Sequence, residues 1–273
     1  MQKSVQWTTE LEPYYSNPRG CTLYEGDSLD LLEAMAPEQF DVVFADPPYF
    51  LSNDGVTCKS GRMVSVNKGR WDRCQGIEAN HAFNLRWLDA CQRLLKPNGT
   101  IWVSGTQHVI YSIGFAMQSL GFKILNDIAW FKVNPPPNLS CRYFTHGTET
   151  VIWAARDDKA RHTFNYKLMK EMNGGKQMKN LWHIMSPRKA EKGHGKHPTQ
   201  KPLELLDRII LASSNEGDLV LDPFCGSSTT GLSALKHGRR YVGIDQSEEY
   251  LDLSVRRIED LDEPENLAQV ESA

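Results

Sequence analysis

At 273 residues, with 40% hydrophobic and 24% charged content, the chain has the make-up of a globular protein able to bury a large core. A formal net charge of −3 excludes whole-molecule attraction to polyanions, and no apolar run reaches the length of a membrane span. No basic start with an apolar stretch marks a secretory leader, and Cys21, Cys58, Cys74, Cys91, Cys141 and Cys225 include no C-x-x-C pair, so reduced thiols in a cytoplasm are expected.

Residues 1–20 are polar, with Pro13 and Pro18, and read as an irregular arm. Leu29, Leu32 and Met35 suit a short helix after the Gly26-Asp27 turn, and Phe40–Ala45 is an apolar strand ending in Asp46-Pro47-Pro48-Tyr49. Residues 50–80 lack periodicity and read as a long functional or mobile loop. Helical spacing follows over 81–95, then a Lys96–Gly99 turn, a strand Thr100–Ser104, a helix over about 107–120 and a strand Phe122–Phe131. Residues 132–148, with Pro135-Pro136-Pro137, read as loop, and Thr150–Ala154 as a strand. Residues 157–196 are the least regular and most basic stretch. Pro202 suits the first turn of a helix carrying Leu203, Leu206, Ile209 and Ile210. Leu219–Leu221 reads as a buried strand, Thr229–His237 as a helix and Arg240–Asp245 as a further strand. Strands alternating with helices predict an α/β fold: an open, mainly parallel sheet covered on both faces. There is no internal repeat.

Two of these junctions carry chemistry. In Asp46-Pro47-Pro48-Tyr49 the prolines fix φ near −65° and remove two N–H donors, so their carbonyls remain free to accept from an amine. Asp46 adds a second acceptor and Tyr49 an aromatic face, which together make a rigid clamp for a flat nitrogen base. A Pro-Pro turn capped by an acid accounts for these four residues equally well when they are taken alone. In Asp218-Leu219-Val220-Leu221-Asp222-Pro223-Phe224-Cys225-Gly226-Ser227-Ser228-Thr229-Thr230, a strand turns through small residues into a helix, the nucleotide-cofactor corner of an open α/β sheet. Asp245 closes the next strand, roughly 20 residues on, where a ribose hydroxyl pair is normally held; capping a helix that starts at Ser247 is its structural alternative. There is no G-x-G-x-x-G turn of the kind a dinucleotide prefers.

Charge is distributed unevenly. Lys176, Lys179, Arg188, Lys189, Lys192, Lys196, Lys201 and Arg208 fall in one stretch, and the C-terminus is acidic. Such a patch suits phosphate contact or a solvated loop. The eight histidines show no metal-binding spacing, so no metal is expected. Trp71 and Trp182 read as core residues ahead of base-stacking ones.

Both motifs together resemble the amino-methylating nucleic acid methyltransferases. With the clamp ahead of the cofactor turn, the order resembles the β group of DNA amino-methyltransferases over roughly residues 20–258. Matching pieces are Tyr24–Ser28, Leu95–Thr100, Glu149–Trp153 and His197–Pro202, while Asp46–Asn53 and Asn138–His146 are most similar to the DpnA-type adenine methylases of GATC-recognising restriction systems. The resemblance implies one methyltransferase domain of permuted order. Its catalytic half spans about 20–156 and its cofactor half about 197–262, with a target-recognition insert over about 132–196 and a disordered tail at 263–273. It implies S-adenosylmethionine as cofactor, met by Asp27, Lys201, Asp222, Phe224, Gly226, Ser227, Thr229, Thr230 and Asp245. Where the family has glycine this chain has Ser228, which fits if its φ is negative.

Methyl transfer to adenine N6 would then fall to Asp46, Pro47, Pro48 and Tyr49, on a base flipped out of duplex DNA or offered in a single strand. DNA would be held by Arg142, Tyr143, Lys189, Lys192 and Lys196. A homodimer in a bacterial cytoplasm or phage-infected host, with no metal and no membrane, completes the implied setting. Cytosine-N4 methylation uses the same chemistry, but that group more often carries Ser at the clamp's first position. Glutamine methylation typically starts its motif with Asn, and cytosine-C5 chemistry needs a Pro-Cys pair that is absent here. A catalytically silent DNA-binding subunit is the alternative from another class.

Overall fold

The computed structural model describes residues 5–8, 11–51, 76–135, 137–138, 140–195 and 197–261, together with the backbone of two short strands at 56–59 and 62–65. Lys196, Trp71 and the tail from residue 262 lie outside the described residues.

Five parallel strands form the centre of the main sheet. They are β2 (Cys21–Glu25), β3 (Phe40–Ala45), β6 (Leu95–Gly105), β10 (Leu219–Asp222) and β11 (Arg240–Asp245), in the spatial order β2-β11-β10-β3-β6. Beyond β6 the order continues β8 (Thr148–Ala155), β7 (Lys123–Phe131) and β9 (Leu181–His183), with β8 antiparallel to both neighbours and β9 parallel to β7. On the other side, β1 (Tyr15–Ser16) pairs antiparallel with β2. The sheet is therefore mixed but mostly parallel, as the alternating pattern predicts.

Period-2 alternation divides the core into two layers. Phe40, Val43, Ala45, Ile101, Val103, Leu219 and Leu221 face α1 (Ser28–Ala34), α2 (Ile77–Leu94) and α3 (Ile110–Ser119), through Leu32, Trp87, Leu88 and Ile113. Val42, Phe44, Trp102 and Val220 face α4 (Tyr166–Met172), α5 (Leu203–Ser213), α6 (Thr229–Lys236) and α7 (Glu248–Asp260), through Met169, Leu205, Ile209, Leu232 and Leu251. Trp102 stacks on Trp153 at 4.7 Å with an 8° interplanar angle and donates its indole N–H to Ser213 Oγ at 3.0 Å. Truncating so deeply buried a tryptophan typically costs about 3–5 kcal/mol.

Four expectations need correction. Residues 157–196 are not wholly irregular: α4 lies there, and β9 extends the sheet because Trp182 and Ile184 are buried against it, with the Trp130 indole donating to the Ile184 carbonyl at 2.8 Å. Within 50–80, β4 (Val56–Lys59) and β5 (Arg62–Ser65) pair as an antiparallel ribbon, and α2 already starts at Ile77. Residues 96–99 belong to β6 and not to a turn, which is accommodated by a register shift against β3 between Phe40 and Val42. The N-terminal arm is tied down by β1 and by a bridge from Trp7 to Met35.

Candidate active site

The parallel strands end on one rim, where a cavity of about 280 Å³ opens between the clamp and the small-residue turn. Its lining includes Asp46, Pro48 and Phe50 after β3, Phe224 to Ser227, Thr229 and Thr230 from the turn, and Asp245 after β11. Asp27, Ser28, Phe83, His197, Gln200, Lys201 and Tyr250 close the sides. Sequence-distant motifs thus meet because β3 and β10 are adjacent and parallel.

The small-residue turn is built for close approach. Gly226 has φ +51°, and a Cβ there would sit 2.9 Å from the His197 ring. Further along α6, a Cβ on Gly231 would lie 2.5 Å from Tyr241, so glycine lets the helix pack onto β11. Ser228 departs from the expectation of negative φ: it is left-handed at +52°, fully buried, and serves as the N-cap residue of α6. Its hydroxyl accepts from the Tyr241 hydroxyl at 3.4 Å, an aid that glycine would not provide. A left-handed non-glycine residue costs roughly 1 kcal/mol or more and persists where its surroundings over-determine it.

The carboxylates of the turn perform structural work and also face the cavity. Asp245 accepts from Gly226 N at 2.9 Å and Ser247 N at 2.9 Å, fixing the turn and the entry to α7 together. Asp222 accepts from the Thr230 hydroxyl at 2.6 Å and from Phe224 N at 3.1 Å. Burial pushes the Asp222 carboxyl up to about 7 despite those hydrogen bonds, with Asp46 and Asp245 adding repulsion. Burial also raises Asp245. Asp27 caps α1, accepting from Leu29 N at 2.8 Å, as well as lining the cavity. Gln200 Oε1 is buried without a hydrogen-bond partner in a side chain that lines the same space. An acidic cavity with an unsatisfied acceptor and glycine-permitted backbone approach fits a ligand that carries positive charge and several hydroxyl or amine donors.

At the clamp, Asp46 is held by three side chains. Ser104 donates to its Oδ1 at 2.5 Å, Tyr49 to the same oxygen at 2.6 Å, and Lys201 to Oδ2 at 2.6 Å. Burial alone would raise this carboxyl, but the Lys201 ammonium with the Ser104 and Tyr49 hydroxyls outweighs it and holds Asp46 below the usual carboxylate range. Lys201 is itself 7% exposed. Burial would lower its pKa, but Asp46 and Glu149 raise it above the ordinary lysine value. Tyr49 is buried, with its hydroxyl on Asp46 and its ring under the Lys201 ammonium, so the aromatic face is engaged within the protein. Pro47 and Pro48 are buried beside it, and Phe50 follows at φ +57°, edge-on to Phe83.

Motif reading missed Ser104, Glu149, Gln200 and Phe83. Ser104 and Glu149 sit at strand positions that look like ordinary core alternation, and only the tertiary fold brings Ser104 to Asp46 and Glu149 to Lys201. Lys201, expected at the cofactor, contacts the clamp directly. Of the expected DNA contacts, Arg142 and Tyr143 are exposed in a loop between β7 and β8, Lys189 is exposed, and Lys192 is half-buried at a short 3-10 turn. That loop is ordered by Asn138, which donates to the Tyr143 carbonyl at 2.6 Å and accepts from Ser140 N at 3.0 Å. Among the described residues no cluster of His, Cys, Asp or Glu is arranged to hold a metal ion, and no helix is long and apolar enough to cross a membrane.

Comparison with known proteins supplies a family for this geometry. The chain is 55% identical over 91% of its length to the type II methyltransferase M2.DpnII of Streptococcus pneumoniae, covering 92% of that protein. It is likewise 55% identical to M2.LlaDCHI of Lactococcus lactis subsp. cremoris, over 90% of this chain and 92% of that one. Among solved structures, a complex of M1.HpyAVI with SAM superposes at a TM-score of 0.65 with 27% identity, over 87% of this chain and 98% of that one. The N6_N4_Mtase family model, described as DNA methylase, matches residues 40–256, and the chain therefore belongs to the N6/N4 DNA methylase family.

Proposed function

We propose that this protein transfers a methyl group from S-adenosylmethionine to the N6 amine of adenine in DNA, at GATC sites, as the modification enzyme of a type II restriction system. The observation that carries the reading is the ionised Asp46 facing the acidic cavity, at the first position of the clamp. Identity of 55% to M2.DpnII supports the type II setting. Asp at the clamp's first position, where the cytosine-N4 group more often has Ser, favours adenine.

Asp222, Phe224, Gly226, Ser227, Thr229, Thr230 and Asp245 would hold the cofactor, with Asp27 at its adenine end. Bound there, S-adenosylmethionine supplies a methyl group already activated on a sulfonium. An exocyclic aromatic amine is a poor nucleophile because its lone pair is delocalised into the ring. Asp46 and the Pro47 carbonyl accept the two amine hydrogens, which favours a pyramidal nitrogen with its lone pair available. Positioning then supplies most of the acceleration, since a held near-attack geometry is worth about 7–11 kcal/mol. The proton released from the methylated nitrogen passes to the Asp46 carboxylate and on to solvent. The target base must leave the duplex to reach the clamp, and Tyr49, its hydroxyl remaining on Asp46, is the aromatic that would stack on it.

The two stretches flanking β8, residues 132–147 and 157–196, serve as the target-recognition region within a single methyltransferase domain, with β8 itself belonging to the sheet. Arg142 and Tyr143 read the site, and the Lys189 segment meets phosphates. Action on single-stranded DNA, a homodimeric state and a cytoplasmic location belong to the same reading. The deciding experiment incubates the protein with methyl-labelled S-adenosylmethionine and duplex or single-stranded oligonucleotides, with GATC or a one-base variant, and digests the products to nucleosides. Label in N6-methyl-2′-deoxyadenosine from GATC alone is the expected result; label in N4-methyl-2′-deoxycytidine, or in neither, overturns it.

A further inference from the structure

Lys201 and Glu149 stand behind the clamp as a buried ion chain. Lys201 Nζ lies 2.6 Å from Asp46 Oδ2 and 3.7 Å from Glu149 Oε2, and Glu149 in turn pairs through Oε1 with Lys132 at the end of β7. The first two residues are 7% and 8% exposed. Desolvating charged groups is costly, so such a chain is weak evidence for stability and calls for another reason. The reason lies in how Asp46 distributes its lone pairs. Oδ1 accepts two hydroxyls, from Ser104 and Tyr49, whereas Oδ2 accepts Lys201 alone and retains an acceptor position.

We propose that Lys201, anchored by Glu149, is a positioning residue that turns Asp46 so that Oδ2 receives the target amine, and that it is not simply a cofactor contact. This rests on the amine-methylation reading above. Glu149 matters because its buried Oε2, 3.7 Å from Lys201 Nζ and without a hydrogen-bond partner, adds a second negative charge that favours the ammonium on the clamp side of the cavity that Lys201 lines. The ionisable groups facing Asp46 are Lys201 and Tyr49 directly, with Glu149 behind Lys201 and Asp222 across the cavity. Among them Lys201 is the cation, so its removal leaves only hydroxyls to keep Asp46 ionised, and the carboxyl must titrate at higher pH.

The test measures kcat, KM for DNA, cofactor affinity by calorimetry and the pH profile of kcat in the full chain. Lys201→Met is expected to lower kcat by about 100-fold, the usual effect of a misplaced reacting group, and to move the acid limb of the profile to higher pH. Glu149→Gln, outside the cavity lining, is expected to lower kcat with both substrate affinities unchanged. Because a lone buried charge can prevent folding, the charge-balanced pair Glu149→Gln with Lys132→Met is made alongside and is expected to show the same kcat loss. Unchanged kcat and an unmoved acid limb in Lys201→Met, with cofactor affinity reduced, would return Lys201 to a cofactor contact and overturn the inference. So would normal kcat in the folded double variant. If the wild type itself places no methyl on a DNA amine, it is the functional reading that fails.

Discussion

The cofactor corner and the β7–β8 loop share one rim of the sheet but are built by opposite rules. In the corner, nearly every polar group has a protein partner: Asp222 holds Thr230 and Phe224 N, and Asp245 holds Gly226 N and Ser247 N. In the loop, Arg142, Tyr143 and Phe144 project outward, with Phe144 95% exposed, and order comes from the local Asn138 bonds. A site for a ligand of fixed shape can be preorganised from inside, whereas the proposed role of the loop in meeting DNA would leave its contacting groups open for that partner.

Breaking the corner's link to the clamp gives the largest expected effect. Asp46→Ala should reduce methyl transfer by about 100- to 1,000-fold or more, on the scale of losing one preorganised group, while cofactor binding persists; a radiolabelled-methyl assay beside calorimetry measures both. Asp245→Ala should weaken cofactor affinity more than turnover at saturation, because ribose contacts act alike on ground and transition states. It should also cost about 1–3 kcal/mol of stability by removing the acceptor of two partly buried N–H groups, readable in denaturant melts.

Asp222 gives the same comparison a pH axis. Burial holds its carboxyl at about 7 without ligand, and a cationic cofactor favours the ionised form, so affinity should rise as pH climbs towards that value and level off above it. One linked proton limits the rise to about tenfold per pH unit, and Asp222→Asn should flatten it in calorimetric titrations. On the loop side, Arg142→Ala should cost roughly 1–3 kcal/mol of discrimination at a single base pair, seen in binding to matched and mismatched oligonucleotides. The smallest effect is expected from Lys189→Ala with Lys192→Ala, a loss of about 0.9 in salt slope for each phosphate contact removed. An unchanged slope would make that segment a solvated surface.

Much of the corner was legible in the sequence because its parts are contiguous: apolar Leu219–Leu221, a run of small residues, and Asp245 closing the next strand. The clamp was legible for a similar reason, since two prolines after a strand leave few conformations. What sequence could not show was pairing across the sheet. Ser104 reaches Asp46, and Glu149 reaches Lys201 behind it, only through the order β3-β6-β8, which no local pattern encodes. Region 157–196 looked irregular because α4 and β9 are short and their apolar residues, Met169, Trp182 and Ile184, are too few to set a period. The left-handed Ser228 was invisible because serine gives no sign of the backbone that its neighbours impose.

The reversal of β8 has a consequence for how freely the loop between β7 and β8 can vary. Because β7 runs with the parallel strands and β8 returns, the connection between them leaves and re-enters the sheet at the clamp's own rim. Its base is closed by the Phe131–Thr148 register and by Lys132 N donating to the Gly147 carbonyl at 2.8 Å. The described residues between those two points sit on a finished hairpin, with His146 Nε2 3.2 Å from the Gln107 amide nitrogen. Doubling the length of such a loop costs only about 0.6 kcal/mol in closure entropy. Sequences between 133 and 145 are therefore expected to tolerate lengthening or shortening without disturbing the strands that hold Asp46. The sheet acts as a socket, and the length of the segment plugged into it is open to change.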